Sequence, residues 1–202
     1  IIPHLDTLDP HSKIIGAVNC VTKNENTLEG MNTDWIGFQE AIKQELKKKL
    51  QRIKKKDLAI VVGYGGSAKA IIYSLNFNGF KKIRVFNRSY EKISGLHNAA
   101  PHKLEELGKY FNEGDLIINT IPTNYNKKNI LKSQKTTKKT GAGFGFDVVY
   151  NFETAFLNQI NYSKRIYGHH MLIQQAIPCF YKWFGKKPET DNALEEILES
   201  ML

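Results

Sequence analysis

Apolar positions along this chain fall into two spacings, and each predicts a different element. Leu58-Ala59-Ile60-Val61-Val62, Asp115-Leu116-Ile117-Ile118-Asn119 and Phe144-Gly145-Phe146-Asp147-Val148-Val149 are short, nearly continuous apolar runs. Such runs suit strands buried on both faces of a parallel sheet. Lys82-Ile83-Arg84-Val85-Phe86 reads as a further strand. Between these runs the spacing becomes helical. Trp35, Phe38, Ala41, Ile42, Glu45 and Leu46 recur at three- and four-residue steps behind Thr33 or Asp34, either of which can cap a helix start. Ala68, Ile71, Ile72 and Leu75 form a second helix from Ser67 to Asn78-Gly79, and Leu104 to Phe111 a third. Further helical patterns cover 154–160, 169–184 and 192–202. Residues 14–33 alternate short apolar runs with the turn residues Asn24-Glu25-Asn26, which predicts a hairpin-like element. Strands alternating with helices through the middle of a chain predict an α/β fold, a doubly wound parallel sheet.

Composition narrows the class. At 202 residues, 41% hydrophobic and 24% charged, the chain is one large domain or one and a half small ones, which excludes disorder, collagen and a disulfide scaffold. No apolar run approaches the ~18 residues of a membrane span, and Ile1-Ile2-Pro3-His4 carries no leader pattern. The net charge is +9, with eight of the 29 basic residues between Lys43 and Lys56. No aromatic residue is interleaved there, so the run predicts the solvated face and end of a helix and no nucleic-acid partner. Cys20 and Cys179 lack CxxC spacing, which suggests neither zinc nor a redox dithiol and fits a reducing cytoplasm. His169 and His170 are adjacent, point apart on a helix and make a poor metal pair, so no metal site is expected. Leu172, Phe180 and Trp183 are expected to be packing residues.

Candidate chemistry begins at Gly63-Tyr64-Gly65-Gly66-Ser67-Ala68, a GxGxx(G/A) pattern placed after a buried strand and at a helix start. Gly63 permits the sharp turn, Gly65 lets a pyrophosphate approach the backbone, and Ala68 lets the helix pack closely on the sheet. The helix N-terminus offers free N–H groups to the phosphates, giving a dinucleotide site at Gly63 to Ser67, with Tyr64 and Gly66 inside the turn. In NAD binders an acidic residue roughly 20 residues on takes the ribose hydroxyls. Here that strand ends in Asn87-Arg88-Ser89, with Lys92 just beyond. A guanidinium suits a 2′-phosphate, and Asn87 and Ser89 add neutral hydrogen bonds, so the expected cofactor is NADP.

These residues belong to a larger pattern. The chain resembles the shikimate dehydrogenase family. Ile15 to Val21 is similar to "GAVNT", Gly30 to Phe38 to "GxNTDxxGF", Gly63 to Ser67 to "GAGGA", and Asn87-Arg88-Ser89 to "NRT". Asp147 to Asn151 is similar to "DVVYN" and Gly168 to Ala176 to "GxxMLxxQA". The resemblance implies NADP-dependent, reversible reduction of 3-dehydroshikimate to shikimate on a Rossmann-like fold. It places Asn19, Asp34, Tyr150 and Gln175 at the substrate, and Gly168 and the backbone of Val148 at the nicotinamide. Asp34 becomes the catalytic acidic half of a Lys/Asp pair that manages the proton of the substrate's C3 oxygen. A carboxylate beside a lysine keeps the ammonium charged and oriented. The partners implied are small molecules, with neither nucleic acid nor membrane, and a homodimer is compatible with the pattern.

By the same resemblance, 1–33 is the C-terminal remnant of a substrate domain, 34–56 a connecting helix, 57–167 the NADP-binding domain and 168–202 returning C-terminal helices. The family's lysine lies in an "NVTxPxK" segment that, with a serine-rich segment, precedes the stretch matched by Ile1. The expectation is therefore a piece lacking its catalytic lysine and inactive alone, for which Lys13 and Lys23 are poor substitutes. Two loops depart from the pattern: "NATPxG" stands as Asn119-Thr120-Ile121-Pro122-Thr123-Asn124, and "YNPxxT" as Tyr150-Asn151-Phe152-Glu153-Thr154. Both departures fall where the family positions the nicotinamide. The alternative they suggest is a non-catalytic NADP-binding relative.

Overall fold

In the computed structural model the first residues build a small sheet. The structure describes residues 1–49, 53, 57–95, 97–122, 143–151, 153–189, 196, 197 and 200. Strands β1 (Thr7–Leu8), β2 (Cys20–Asn24) and β3 (Thr27–Met31) lie in the order β1-β3-β2, and β2 and β3 form the predicted hairpin with Cys20 opposite Met31. The reading of Ile14-Ile15 as part of that element is corrected. Both lie in a short helix, α1 (Pro10–Ile15), whose N–H groups at His11 and Ser12 are capped by Asp9 and which ends at Gly16 with φ +67. Six residues are too few to display a helical period.

Six parallel strands form the main sheet: β4 (Leu58–Val62), β5 (Lys82–Asn87), β6 (Ala99–Lys103), β7 (Leu116–Asn119), β8 (Phe144–Asp147) and β9 (Arg165–Ile166). Their order is β6-β5-β4-β7-β8-β9. The order reverses between β4 and β7, and in open sheets of this kind the ligand crevice lies at that reversal, outside the carboxyl ends of the strands. Residues alternate between two cores. Ala59, Val61, Ile83 and Phe146 pack beneath α2 (Asp34–Lys48) and α3 (Gly66–Phe77). Ile60, Val62, Phe86 and Ile117 pack on the other face with Leu107 of α4 (Leu107–Tyr110), Phe111 and Phe156. The sheet is thus doubly wound, as the apolar runs predicted.

Two strands escaped the pattern. Strand β6 reads Ala-Ala-Pro-His-Lys, polar and half-exposed, and tolerates Pro101 because it sits at the sheet edge. Strand β9 has only two residues. The helix expected at 154–160 is instead a turn and the 3-10 segment Leu157–Gln159. Phe156, Leu157 and Ile160 imitate helical spacing, but the Thr154 hydroxyl is committed to Asp147 while accepting from Leu157 N. The pattern at 192–202 falls mostly outside the described residues, as do Arg52, Lys54, Lys55 and Lys56 of the basic run.

The last described long helix, α5 (Gly168–Phe184), crosses α2 at Gly37. A Cβ on Gly37 would stand 2.6 Å from Gln175 Cβ and 2.7 Å from its backbone nitrogen, so glycine permits this approach. Farther along, Gln174 Nε2 donates to Gln44 Oε1 at 3.2 Å, and His170 Nε2 lies 3.0 Å from Glu45 Oε1. The two helices therefore run antiparallel. Trp183, expected inside, is 53% exposed on α5, with its indole N–H donating to Val21 O at 3.0 Å.

Burial pushes the Glu45 carboxyl up, but the hydrogen bond and charge of His170, with Lys49 and Lys48, outweigh it and bring the pKa down to about 2. A folded value below the ordinary 4.5 contributes stability above that pH, which is lost as pH falls toward 2. Glu45→Gln is expected to cost about 1–3 kcal/mol at neutral pH and to flatten the loss of stability in that acid window, as read by urea unfolding. Gly37→Ala is expected to cost a similar ~1–3 kcal/mol by forcing α2 off α5. Unchanged unfolding midpoints would contradict both.

Candidate active site

Gly63 ends β4 at φ +106, and its N–H donates to Phe86 O at 2.8 Å. A side chain there would run into Thr120, whose own hydroxyl donates to Val62 O at 2.8 Å. This turn is therefore reserved for glycine by both conformation and space. Gly65 caps α3 in an extended conformation, no side chain caps the helix, and a Cβ on Gly65 would meet nothing within 4 Å. Gly65 and Gly66 are exposed. The first N–H groups of α3 thus open toward space that an anion can occupy. Tyr64 turns its ring onto the core and donates its hydroxyl to Ser94 O at 3.3 Å.

Strand β5 runs beside β4, pairing Phe86 with Val62, so Asn87-Arg88-Ser89 leaves the sheet next to the glycine turn. Asn87 Nδ2 donates to Ser89 O at 3.4 Å, Arg88 is exposed, and Lys92 is exposed at the end of the 3-10 turn Tyr90–Lys92. The uncapped start of α3 and the exposed Arg88 are accordingly set beside neighbouring strand ends.

Beside the turn the chain assembles a polar junction from three elements. Asn19, just before β2, donates from Nδ2 to Asp34 Oδ1 at 2.7 Å, Thr33 Oγ1 at 2.9 Å and Gln175 Oε1 at 3.2 Å. Its Oδ1 accepts the Thr33 N–H at 2.8 Å. Thr33 is fully buried and also hydrogen-bonds Gln175 Oε1 at 3.3 Å. Neither Thr33 nor Asp34 caps α2 with its side chain; Asn32 Oδ1 accepts the Asp34 N–H instead, at 3.1 Å. Asp34 is thereby released from capping and turns its second oxygen to Ser67, whose hydroxyl donates to Oδ2 at 3.0 Å. Burial pushes the Asp34 carboxyl above its usual range, against the bonds from Ser67 and Asn19. The roles of Thr33 and of the Ser67 hydroxyl had no signal in local sequence, because each depends on groups distant along the chain.

On the other side of the crevice, Gly168 begins α5 against the backbone of Asp147 and Val148, where a Cβ would stand 2.6 Å from both carbonyl oxygens. Val148 N donates to Asn119 O at 3.0 Å. The two loops that depart from the family pattern are joined here: Asn119 Nδ2, Val149 N and Thr154 Oγ1 donate to the Asp147 carboxylate at 3.0, 3.0 and 2.5 Å. Thr123 and Asn124 lie outside the described residues. Tyr150 is 43% exposed, and among the described residues no hydrogen bond joins it to the Asn19 junction. No lysine bonds Asp34 among the described residues; Lys13 and Lys23 are exposed on α1 and β2.

Cys20 and Cys179, distant in sequence, are both buried beside the junction, with Cys179 Sγ 3.8 Å from Thr33 Oγ1. Burial and a hydrogen bond with Cys179 push the Cys20 thiol up to about 12, so it stays protonated and unreactive. No group of three or more metal-ligating side chains occurs among the described residues, and no described helix is long and apolar enough to cross a membrane.

Burial raises Asp147 to about 6 despite its three donors. A folded value above the ordinary 3.8 favours the neutral acid in the folded state, so this carboxyl costs stability as pH rises from 3.8 to about 6. Across that window Asp147→Asn is expected to gain stability relative to the parent, measured by denaturant unfolding at each pH. A difference that does not vary with pH would contradict this.

The chain matches the family model for shikimate / quinate 5-dehydrogenase over residues 44–148. It is 30% identical to the shikimate dehydrogenase (NADP(+)) of Geobacillus kaustophilus, covering all of this chain and 75% of the relative. Its backbone is similar to the crystal structure of shikimate dehydrogenase from Aquifex aeolicus, with TM-score 0.78 and 28% identity over 98% of this chain and 72% of that one. It is also similar to the Thermus thermophilus enzyme in complex with NADP(H) and shikimate, with TM-score 0.74 and 29% identity over 100% of this chain and 74% of that one. With the glycine turn, the junction around Asp34 and the sheet order in place, the chain belongs to the shikimate/quinate 5-dehydrogenase family.

Proposed function

We propose that this protein acts as an NADP-dependent shikimate dehydrogenase, interconverting 3-dehydroshikimate and shikimate in the cytoplasm. The observation that carries the reading is the Asp34 carboxylate, held at both oxygens and one hydrogen bond away from the open N-terminus of α3. The residues present fit the cofactor: a Cβ-free opening at Gly65, uncapped N–H groups, and Arg88 on the adjoining strand end. Gly65, Gly66 and Ser67 would take the pyrophosphate, Arg88 with Asn87, Ser89 and Lys92 the 2′-phosphate, and Val148 and Gly168 the nicotinamide side. When bound, NADP supplies or accepts the hydride.

The side chains at the junction do the rest. Asn19 and Gln175 each donate and accept, which suits a polyhydroxylated ring, and Tyr150 would close over it. Asp34 accepts from donors already on both oxygens and keeps lone pairs for the group that protonates the developing alkoxide. Residues 1–33 and the helix from 168 would thus furnish the substrate side, and 57–167 the cofactor side. A second reading, a cofactor-binding relative without turnover, is favoured by one observation: among the described residues no lysine bonds Asp34.

Calorimetric titration separates the claims. NADP is expected to bind more tightly than NAD, and Arg88→Ala to weaken NADP by about 10–100-fold with little change for NAD. Equal loss for both dinucleotides would contradict the assignment of Arg88. With the segment that carries the family's lysine supplied, formation of NADPH on adding shikimate and NADP supports the dehydrogenase reading, whereas tight NADP binding that still gives no NADPH supports the second one.

A further inference from the structure

Ser67 stands at two sites at once. It is the second residue of α3, so its backbone lies among the uncapped N–H groups of the glycine turn, while its hydroxyl donates across 33 positions of sequence to Asp34 Oδ2 at 3.0 Å. In the pattern "GAGGA" this position is alanine, which has no hydroxyl, and here it is serine. The contact is therefore not required to make the turn. It meets a half-buried carboxylate whose other oxygen is already taken by Asn19.

We propose that Ser67 is a positioning residue that links the cofactor turn to the Asp34 carboxylate on the substrate side, fixing the orientation of Asp34 and holding it ionised. The inference rests on the reading of Asp34 and of the glycine turn given above. A carboxylate has two oxygens, and with Asn19 alone on Oδ1 it remains free to rotate Oδ2 toward the crevice. The Ser67 hydroxyl removes that freedom and stabilises the charged form, because a hydrogen bond donated to a carboxylate favours ionisation. Burial works in the opposite direction, and the two hydrogen bonds from Ser67 and Asn19 oppose it; no charged side chain contributes among the described residues. Ser67 thus acts on a group with few other supports. Because it shares a helix start with the amides expected to meet phosphate, a shift of that turn on cofactor binding reaches Asp34 through one hydroxyl.

Carbon-detected NMR titration of the Asp34 carboxyl in the 202-residue chain tests this directly, with and without NADP. In Ser67→Ala the Asp34 midpoint is expected to move to higher pH, and in Ser67→Thr, which keeps a hydroxyl, to stay at the parent position. NADP is expected to shift the Asp34 resonance in the parent and Ser67→Thr and to leave it unmoved in Ser67→Ala. An Asp34 midpoint unaltered in Ser67→Ala, with the remaining spectrum native, would overturn the positioning role. If NADP leaves the amide signals of Gly65, Gly66 and Ser67 unmoved in the parent, the cofactor reading of the turn fails and the link falls with it. An upward midpoint in Ser67→Ala would in that case still support the hold on Asp34.

Discussion

One carboxamide ties the small sheet to both long helices. Asn19 donates to Asp34, Thr33 and Gln175 and accepts from the Thr33 backbone, so a residue preceding β2, the start of α2 and the second turn of α5 meet at a single side chain. The arrangement depends on Gly37, because α5 could not otherwise bring Gln175 to hydrogen-bond distance of Thr33 and Asn19. It depends also on Asn32, which takes over the N-terminal capping and releases Asp34 to face the crevice. Packing and the proposed function thus rest on the same contacts at this point of the molecule.

Three carboxyls, two buried and one half-buried, show how local donors decide what burial does. Glu45, facing His170 and two lysines, falls to about 2. Asp147, surrounded only by neutral donors, rises to about 6 and serves as the joint between the ends of β7 and β8 and the loop to Thr154. Asp34 also rises, with neutral donors on both oxygens. A cationic partner arriving at Asp34 would reverse that direction, which is the electrostatic reason a Lys/Asp pair suits the proton transfer proposed for this site.

What could be read from the chain follows from the range over which each feature is encoded. Strands β4, β7 and β8 were legible because burial on both faces demands an unbroken apolar run, and the turn at Gly63 because its spacing is local. Strand β6 was not, since an edge strand with Pro101 carries no such demand. The segment 154–160 was misread because Phe156, Leu157 and Ile160 satisfy a helical period while Thr154 is held by Asp147. Arg88 was put forward from its strand end. Asn19 and Gln175, 156 positions apart, came only from the resemblance, and the bond between Ser67 and Asp34 from neither, because it exists only once α2 and α3 are packed together.

The central claim is that the glycine turn and the Asn19 junction form one crevice for a phosphorylated dinucleotide and a polyhydroxylated ring. A crystal structure of this chain grown with NADP and shikimate tests it most directly. The account predicts pyrophosphate on the amides of Gly65 to Ser67, the 2′-phosphate against Arg88, and ring hydroxyls on Asn19, Asp34 and Gln175. Dinucleotide phosphates seated away from that helix start, or a ring that avoids Asn19 and Gln175, would contradict it.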